Sequence, residues 1–134
     1  MKNKKEKLGI AIAGLGFGKK VHLEALKESD HLIPKAIYHY KKEQKSILEA
    51  ETSLDFYHDW EELIQSKYID GIIIATPPES RFKLAKEALE NGKHLLLEKP
   101  VALTSQEIEE LRRISLLKNL IVCVDFEYRA VPLF

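Results

Sequence analysis

Three glycines alternate with apolar residues in Gly14-Leu-Gly16-Phe-Gly18, between an apolar run and a segment of helical pattern. A loop of this kind can hold phosphate. Glycine permits the tight turn and lets the backbone approach a pyrophosphate with no Cβ in the way. The helix behind it presents unpaired N–H groups and the positive end of its dipole. A dinucleotide loop usually reads G-x-G-x-x-G. Here the third position is Lys19, and the glycine falls one residue early, at Gly18. The long Lys19 side chain either loosens the first helix from its sheet or reaches the phosphates. Gly14, Gly16, Phe17, Gly18 and Lys19 are therefore candidate cofactor contacts. The plainer alternative is a glycine turn needed only for packing; a strand before and a helix after favour the nucleotide.

A second diagnostic position lies about 20 residues past such a loop, where a carboxylate grips the ribose hydroxyls and selects NAD. Tyr38-His39-Tyr40 stands there, followed by Lys41 and Lys42. With no carboxylate to repel a 2′-phosphate and two lysines to attract one, NADP is favoured over NAD, with His39 and Lys41 at that end of the site. The competing reading is that the lysines merely open a solvated helix.

The elements that must position these residues follow from periodicity and turn signals. Leu8–Ala13 reads as a strand buried on both faces, and residues 19–29 as a helix. Ile33–Tyr38 is a second strand, with Pro34 near its start where a missing N–H is tolerated. A polar helix over Lys41–Ala50 and a short strand, Asp55–Tyr57, follow. His58–Ile64 is a helix capped by Asp59; Trp60 and Tyr57 are expected to pack over the sheet. Asp70–Ala75 is the clearest buried strand, broken by Thr76-Pro-Pro78. Glu79–Glu90 is a helix stopped by Asn91-Gly92. His94–Leu97 is a fifth strand, in which His94 is expected as a satisfied core or edge residue. Thr104-Ser-Gln-Glu107 reads as a capping box opening a helix to about Lys118, and Leu120–Val124 is a sixth strand. Strict alternation of strand and helix predicts a Rossmann-type α/β fold: a doubly wound parallel sheet of six strands with helices on both faces.

Bulk properties narrow the function. The 134 residues carry 21 basic and 21 acidic side chains, so no net field draws the chain to nucleic acid or an anionic membrane. Residues 1–7 are a charged tail with no signal-peptide pattern. The apolar runs are strand-length, which excludes a membrane span and makes a cytoplasmic location the default. The single Cys123 has no internal disulfide partner. His22, His31, His39, His58 and His94 show no metal-like spacing, and no metal is expected. A methyltransferase on the same fold is disfavoured by the turns after the fourth and fifth strands.

Those turns carry a resemblance. Ala75-Thr-Pro-Pro78, Gly92-Lys-His94, Glu98-Lys-Pro100 and His22, six residues after Gly16, resemble the glucose-fructose oxidoreductase, inositol dehydrogenase and MocA family from residue 8 to 134. The resemblance implies that Gly14, Gly16 and Gly18 line a pyrophosphate, and that Ala75, Thr76, Pro77 and Pro78 run toward the nicotinamide end. It implies that Glu98 and Lys99 sit by the nicotinamide ribose, with Lys99 as the catalytic residue reaching the substrate oxygen, and that Pro100 shapes the turn through an unusual peptide bond. A lysine in such a place acts as base or as donor to that oxygen; by itself, Lys99 would read as a surface lysine. The implied activity is hydride transfer between nicotinamide and an alcohol or carbonyl of a sugar or polyol, in a homo-oligomer. Two positions depart from the pattern: Arg81 stands where many members have histidine, and contacts cofactor, substrate or only solvent; Glu127 stands where many have asparagine. The family also has a second α/β domain that these 134 residues do not contain. The apolar ending Asp125–Phe134 reads either as a strand docked on the sheet edge or as the segment leading to that domain. Without it the chain is expected to bind cofactor with little turnover. A natural short nucleotide-binding or interaction module is the alternative.

Overall fold

The computed structural model describes residues 6–132. Six strands form one parallel sheet in the order β3-β2-β1-β4-β5-β6. They are β1 (Leu8–Ala13), β2 (Leu32–Tyr38), β3 (Asp55–Tyr57), β4 (Gly71–Ile74), β5 (His94–Glu98) and β6 (Val122–Asp125). The helices are α1 (Leu23–Lys27), α2 (Lys45–Thr52), α3 (Trp60–Gln65), α4 (Pro78–Glu90) and α5 (Ser105–Lys118). A π-helical turn, Gly18–His22, runs straight into α1. The expected order of elements holds; β1 and β3 have the expected ends, and the other ends coincide or shift by up to four residues.

Alternation along each buried strand divides the core. Ala11, Ala13, Ile72, Ile74, Leu95 and Leu97 face the layer that contains Leu63, Ala85, Leu89 and Leu111. Ile10, Ile12 and Ile73 face the other way, against Leu23 and Leu26. Every second residue goes to the opposite face, so a strand covered on both sides must be apolar throughout. That is why β1 and β4 read as unbroken apolar runs. Pro34 sits at a register shift: Ile10 pairs with Pro34, but Ala11 pairs with Ala36, leaving Lys35 as the extra residue of a bulge. A bulge in β2 accommodates the missing N–H.

Several local expectations appear in detail. The Asp59 carboxylate accepts the N–H groups of Glu61 and Glu62, capping α3. Thr104 and Glu107 form the reciprocal capping box of α5. Trp60 is buried with its ring edge-to-face on Tyr38, and Tyr57 packs partly buried against the same cluster. His94 Nδ1 accepts the N–H of Ile121. Cys123 lies exposed on the edge strand β6. Residues after β6 do not continue as a strand: Glu127–Ala130 is a 3-10 turn, and Leu133 and Phe134 lie outside the described residues. No helix among the described residues is long and apolar enough to cross a membrane.

Lys93 was invisible to periodicity. It is buried, and its ammonium donates to the carbonyls of Ser66 and Ile69, each at 2.7 Å. It thereby ties the α3–β4 connection to the start of β5. Burial pushes its pKa down, opposed by nearby Asp70. Lys93→Met should destabilise the fold at neutral pH by about 1–3 kcal/mol for each carbonyl left unpaired. In the native chain the folded state holds its Lys93 proton less firmly than the unfolded state. Stability from this group therefore rises as pH climbs through the window just below 10.5. Urea unfolding at pH 7 and pH 10 should show the gap between native chain and variant widening at the higher pH; a constant or shrinking gap counts against this account.

Candidate functional site

Strand order reverses between β1 and β4: the chain builds outward from β1 to β3, then returns to the other side of β1. The loops leaving β1 and β4 consequently diverge, and a crevice opens at their carboxyl ends. A cleft of about 760 Å³ lies there, lined by Gly14, Leu15, Gly16, Tyr38, His39, Tyr40, Ala75, Thr76, Pro77, Glu79, Ser80 and Leu84. The loop after β1 forms one wall, the end of β2 a second, and the turn into α4 a third. Six of the candidates named from sequence meet in it: Gly14, Gly16, His39, Ala75, Thr76 and Pro77.

The glycines divide their work. Gly14 has φ +117°, and a Cβ there would lie 2.6 Å from the Ala75 carbonyl oxygen. Only glycine turns the chain this tightly against the β4 exit. Gly18 is buried, and a Cβ would come within 2.9 Å of Ile12 Cγ2 and 3.3 Å of the Ala75 Cβ. It lets the π-helical turn settle directly on the sheet, the packing role that the third glycine of the usual spacing performs. The helix is therefore not loosened by Lys19. The Lys19 ammonium pairs with Glu51 on α2. Gly16 differs from both, because a Cβ there would meet nothing within 4 Å. Exposed backbone facing open space beside an apolar crevice is the opening a pyrophosphate needs, so the residues present fit a dinucleotide.

Just past the end of β2, the His39 and Tyr40 rings lie 4.7 Å apart, and Lys41 Nζ stands 5.7 Å over the Tyr40 ring. The Lys41 N–H is received by His39 Nδ1. Lys41 is not among the residues lining the cleft, but it sits directly behind two that are.

The second group of candidates collects at the end of β5. The Glu98 carboxylate points inward, 2.8 Å from His22 Nε2, and Asp125 Oδ2 approaches the same nitrogen at 3.6 Å. His22 comes from the π-helical turn and packs edge-on against Phe17 at 5.3 Å. Burial, reinforced by Glu98, pushes the Asp125 carboxyl above the ordinary range. These three donor atoms lie within 4.8 Å of one another; histidine spacing gave no sign of this, because the two partners are carboxylates far away in sequence. With Glu98 turned inward, Lys99 turns outward. Its ammonium is 3.3 Å from Glu127 Oε1, beside a small hollow of about 220 Å³ formed with Phe126, Glu127, Tyr128 and Arg129. The departure at Glu127 thus has a physical counterpart: it is the anionic partner of Lys99. The Lys99–Pro100 peptide is cis.

Arg81 does not face solvent, one of the places expected for it: it is buried, 4% exposed, in the first turn of α4, and is not among the residues lining the cleft. Its guanidinium donates to the carbonyls of Glu98, Pro100 and Thr76. Burial lowers its pKa, offset in part by Glu98 and Glu79. No periodic signal marks an arginine as internal; only the meeting of the two turns supplies the carbonyls that bury it.

Comparison with known proteins agrees with this geometry. The model of an oxidoreductase family with an NAD-binding Rossmann fold matches residues 8–126. An uncharacterized oxidoreductase of Synechocystis is 35% identical over 130 residues, covering 96% of this chain and 35% of that protein. An NAD-binding protein from Listeria innocua superposes with a TM-score of 0.85 at 28% identity, over 92% of this chain and 36% of that one. The scyllo-inositol dehydrogenase of Lactobacillus casei, solved with NAD(H) and scyllo-inositol, shares the fold with a TM-score of 0.84 at 24% identity, over 94% of this chain and 38% of that one. The chain spans about a third of the length of these proteins. By its matched family model, the chain belongs to the glucose-fructose oxidoreductase, inositol dehydrogenase and MocA family, as its NAD-binding Rossmann domain.

Proposed function

We propose that this chain is the cofactor-holding part of an NADP-preferring oxidoreductase that interconverts an alcohol and a carbonyl on a sugar or polyol. The observation that carries the reading is the cleft at the β1–β4 switch point, walled by Gly14, Gly16 and Thr76-Pro77. The polyol class is supported by the inositol dehydrogenase that shares the fold. The nicotinamide of a bound cofactor supplies the hydride chemistry. The Gly14–Gly18 backbone receives the pyrophosphate, and His39 and Lys41 flank the adenosine ribose, where a cation favours a 2′-phosphate. Thr76 and Pro77 form the wall toward the reacting end.

Lys99 holds the proton that alcohol–carbonyl exchange must move. Its ammonium stands beside the small hollow past the end of β5, with Glu127 Oε1 as neighbour. In oxidation the amine form accepts the hydroxyl proton; in reduction the ammonium donates to the carbonyl oxygen. The Lys99 side chain is 47% exposed within these residues. Hydride transfer needs water excluded and both reactants held, so the chain as it stands binds cofactor without turnover.

Calorimetric titration of the chain with NADPH and NADH in one buffer tests this. NADPH should bind more tightly, and Lys41→Ala should cost roughly tenfold of the NADPH affinity, about 1.4 kcal/mol, while leaving NADH unchanged. Gly16→Ala should unfold at the same urea concentration as the native chain, since its Cβ meets nothing, yet bind either dinucleotide at least about tenfold more weakly. A folded chain that binds neither at millimolar concentration sinks the reading. A preference for NADH keeps the site and discards the NADP assignment.

A further inference from the structure

Two turns that the cofactor site needs present backbone carbonyls beyond the end of the β4–β5 ladder. Pairing between β4 and β5 stops at Ile74 and Leu97. Beyond it, Thr76 and Glu98 have left the β4–β5 ladder, and Pro100 contributes an oxygen but no N–H. Three carbonyl oxygens converge there, a costly arrangement away from water. One side chain meets all three. Arg81 Nη1 donates to Glu98 O at 2.6 Å and also to Pro100 O, while Nη2 donates to Thr76 O. The residues before and after Lys99 therefore accept from the same nitrogen, and the Thr76 turn is tied to the other end of the fork.

We infer that Arg81 is a positioning residue for the nicotinamide end of the site: it joins the Thr76-Pro-Pro78 turn to the Glu98-Lys-Pro100 turn and so sets where Lys99 stands relative to the cleft. The inference rests on the cofactor reading above. Guanidinium geometry is suited to the task, because its planar fork offers several donors in fixed directions. A single flexible ammonium satisfies fewer of these carbonyls at once. Arg81 is not among the residues lining the cleft, and its hydrogen bonds all go to backbone carbonyls, so it acts through the two backbones. Its influence should stop short of the Gly14–Gly18 loop and of His39, which belong to other elements.

That division gives the test. The native chain, Arg81→Gln and Arg81→Lys are each titrated with NADPH and with 2′-phospho-ADP-ribose, which carries the adenosine and pyrophosphate but no nicotinamide; NADH and ADP-ribose replace them if NADH proves the tighter cofactor. Emission of the bound reduced nicotinamide is recorded alongside. The native chain should bind the dinucleotide more tightly than the fragment and alter its emission. Arg81→Gln should keep fragment affinity within about twofold while its dinucleotide affinity falls by about tenfold, to the level of the fragment. Its nicotinamide emission should return to that of free cofactor. Arg81→Lys should recover part of both. Retention by Arg81→Gln of dinucleotide preference and altered emission overturns the inference. So does loss of the fragment along with the dinucleotide in both variants, since Arg81 would then support the fold as a whole. A native chain that binds neither ligand removes the cofactor reading and this inference with it, whereas native binding with an unaffected Arg81→Gln removes this inference alone.

Discussion

The constraint on which the site depends is the seam where β1, β4 and the π-helical turn meet. Gly18 lies against Ile12 and Ala75, and Gly14 turns directly beside the Ala75 carbonyl. No side chain larger than hydrogen fits either place. Because the turn sits so low on the sheet, the backbone at Gly16 is left facing open space and the crevice above the switch point stays clear. The cleft, the wall formed by Thr76 and Pro77, and the approach of His22 to Glu98 all follow from that seam. The early third glycine is a shift in spacing and not a loss of function: the packing position moves to Gly18, and the π-helical turn accommodates it with one wider loop of backbone.

A second set of contacts organises the end of β5. The Glu98 side chain is held from one side by His22, with Asp125 next to it, and its backbone is held from the other by Arg81. Two buried groups from separate elements thus fix one residue. The consequence is felt at the next position. Alternation along the strand sends Lys99 outward when Glu98 goes inward, and the Lys99 ammonium meets Glu127 just past β6. Burying a histidine and an arginine is expensive unless their partners are supplied. Here the partners are the carboxylates and carbonyls at the strand ends, so the expense is confined to the edge of the sheet where ligands bind.

Much of this was legible in the residues. Unbroken apolar runs marked β1, β4 and β5, because a strand covered on both faces has no polar side to show. Caps at Asp59 and Thr104 were legible because their hydrogen bonds are local, made within three residues of the cap. The glycine loop and the Glu98-Lys-Pro100 turn identified the family because their chemistry is carried by neighbours in the chain. Where the reading stopped short, the cause was distance. Arg81, Lys93 and His22 look like surface residues by type, and, apart from the Thr76 carbonyl five residues before Arg81, their hydrogen-bond partners are 17 to 76 residues away.

Sequence alone therefore determined the order of strands and helices, the cofactor class and the family, since each depends on periodicity or on a contiguous motif. Tertiary structure decided the rest: that Lys19 pairs with Glu51, that Gly18 packs and Gly16 opens, that Arg81 is internal, and that Glu127 faces Lys99. Those outcomes depend on which side chains a parallel sheet brings to its carboxyl edge. Adjacent parallel strands are joined by whole helices, so residues that meet at that edge are seldom neighbours in the chain.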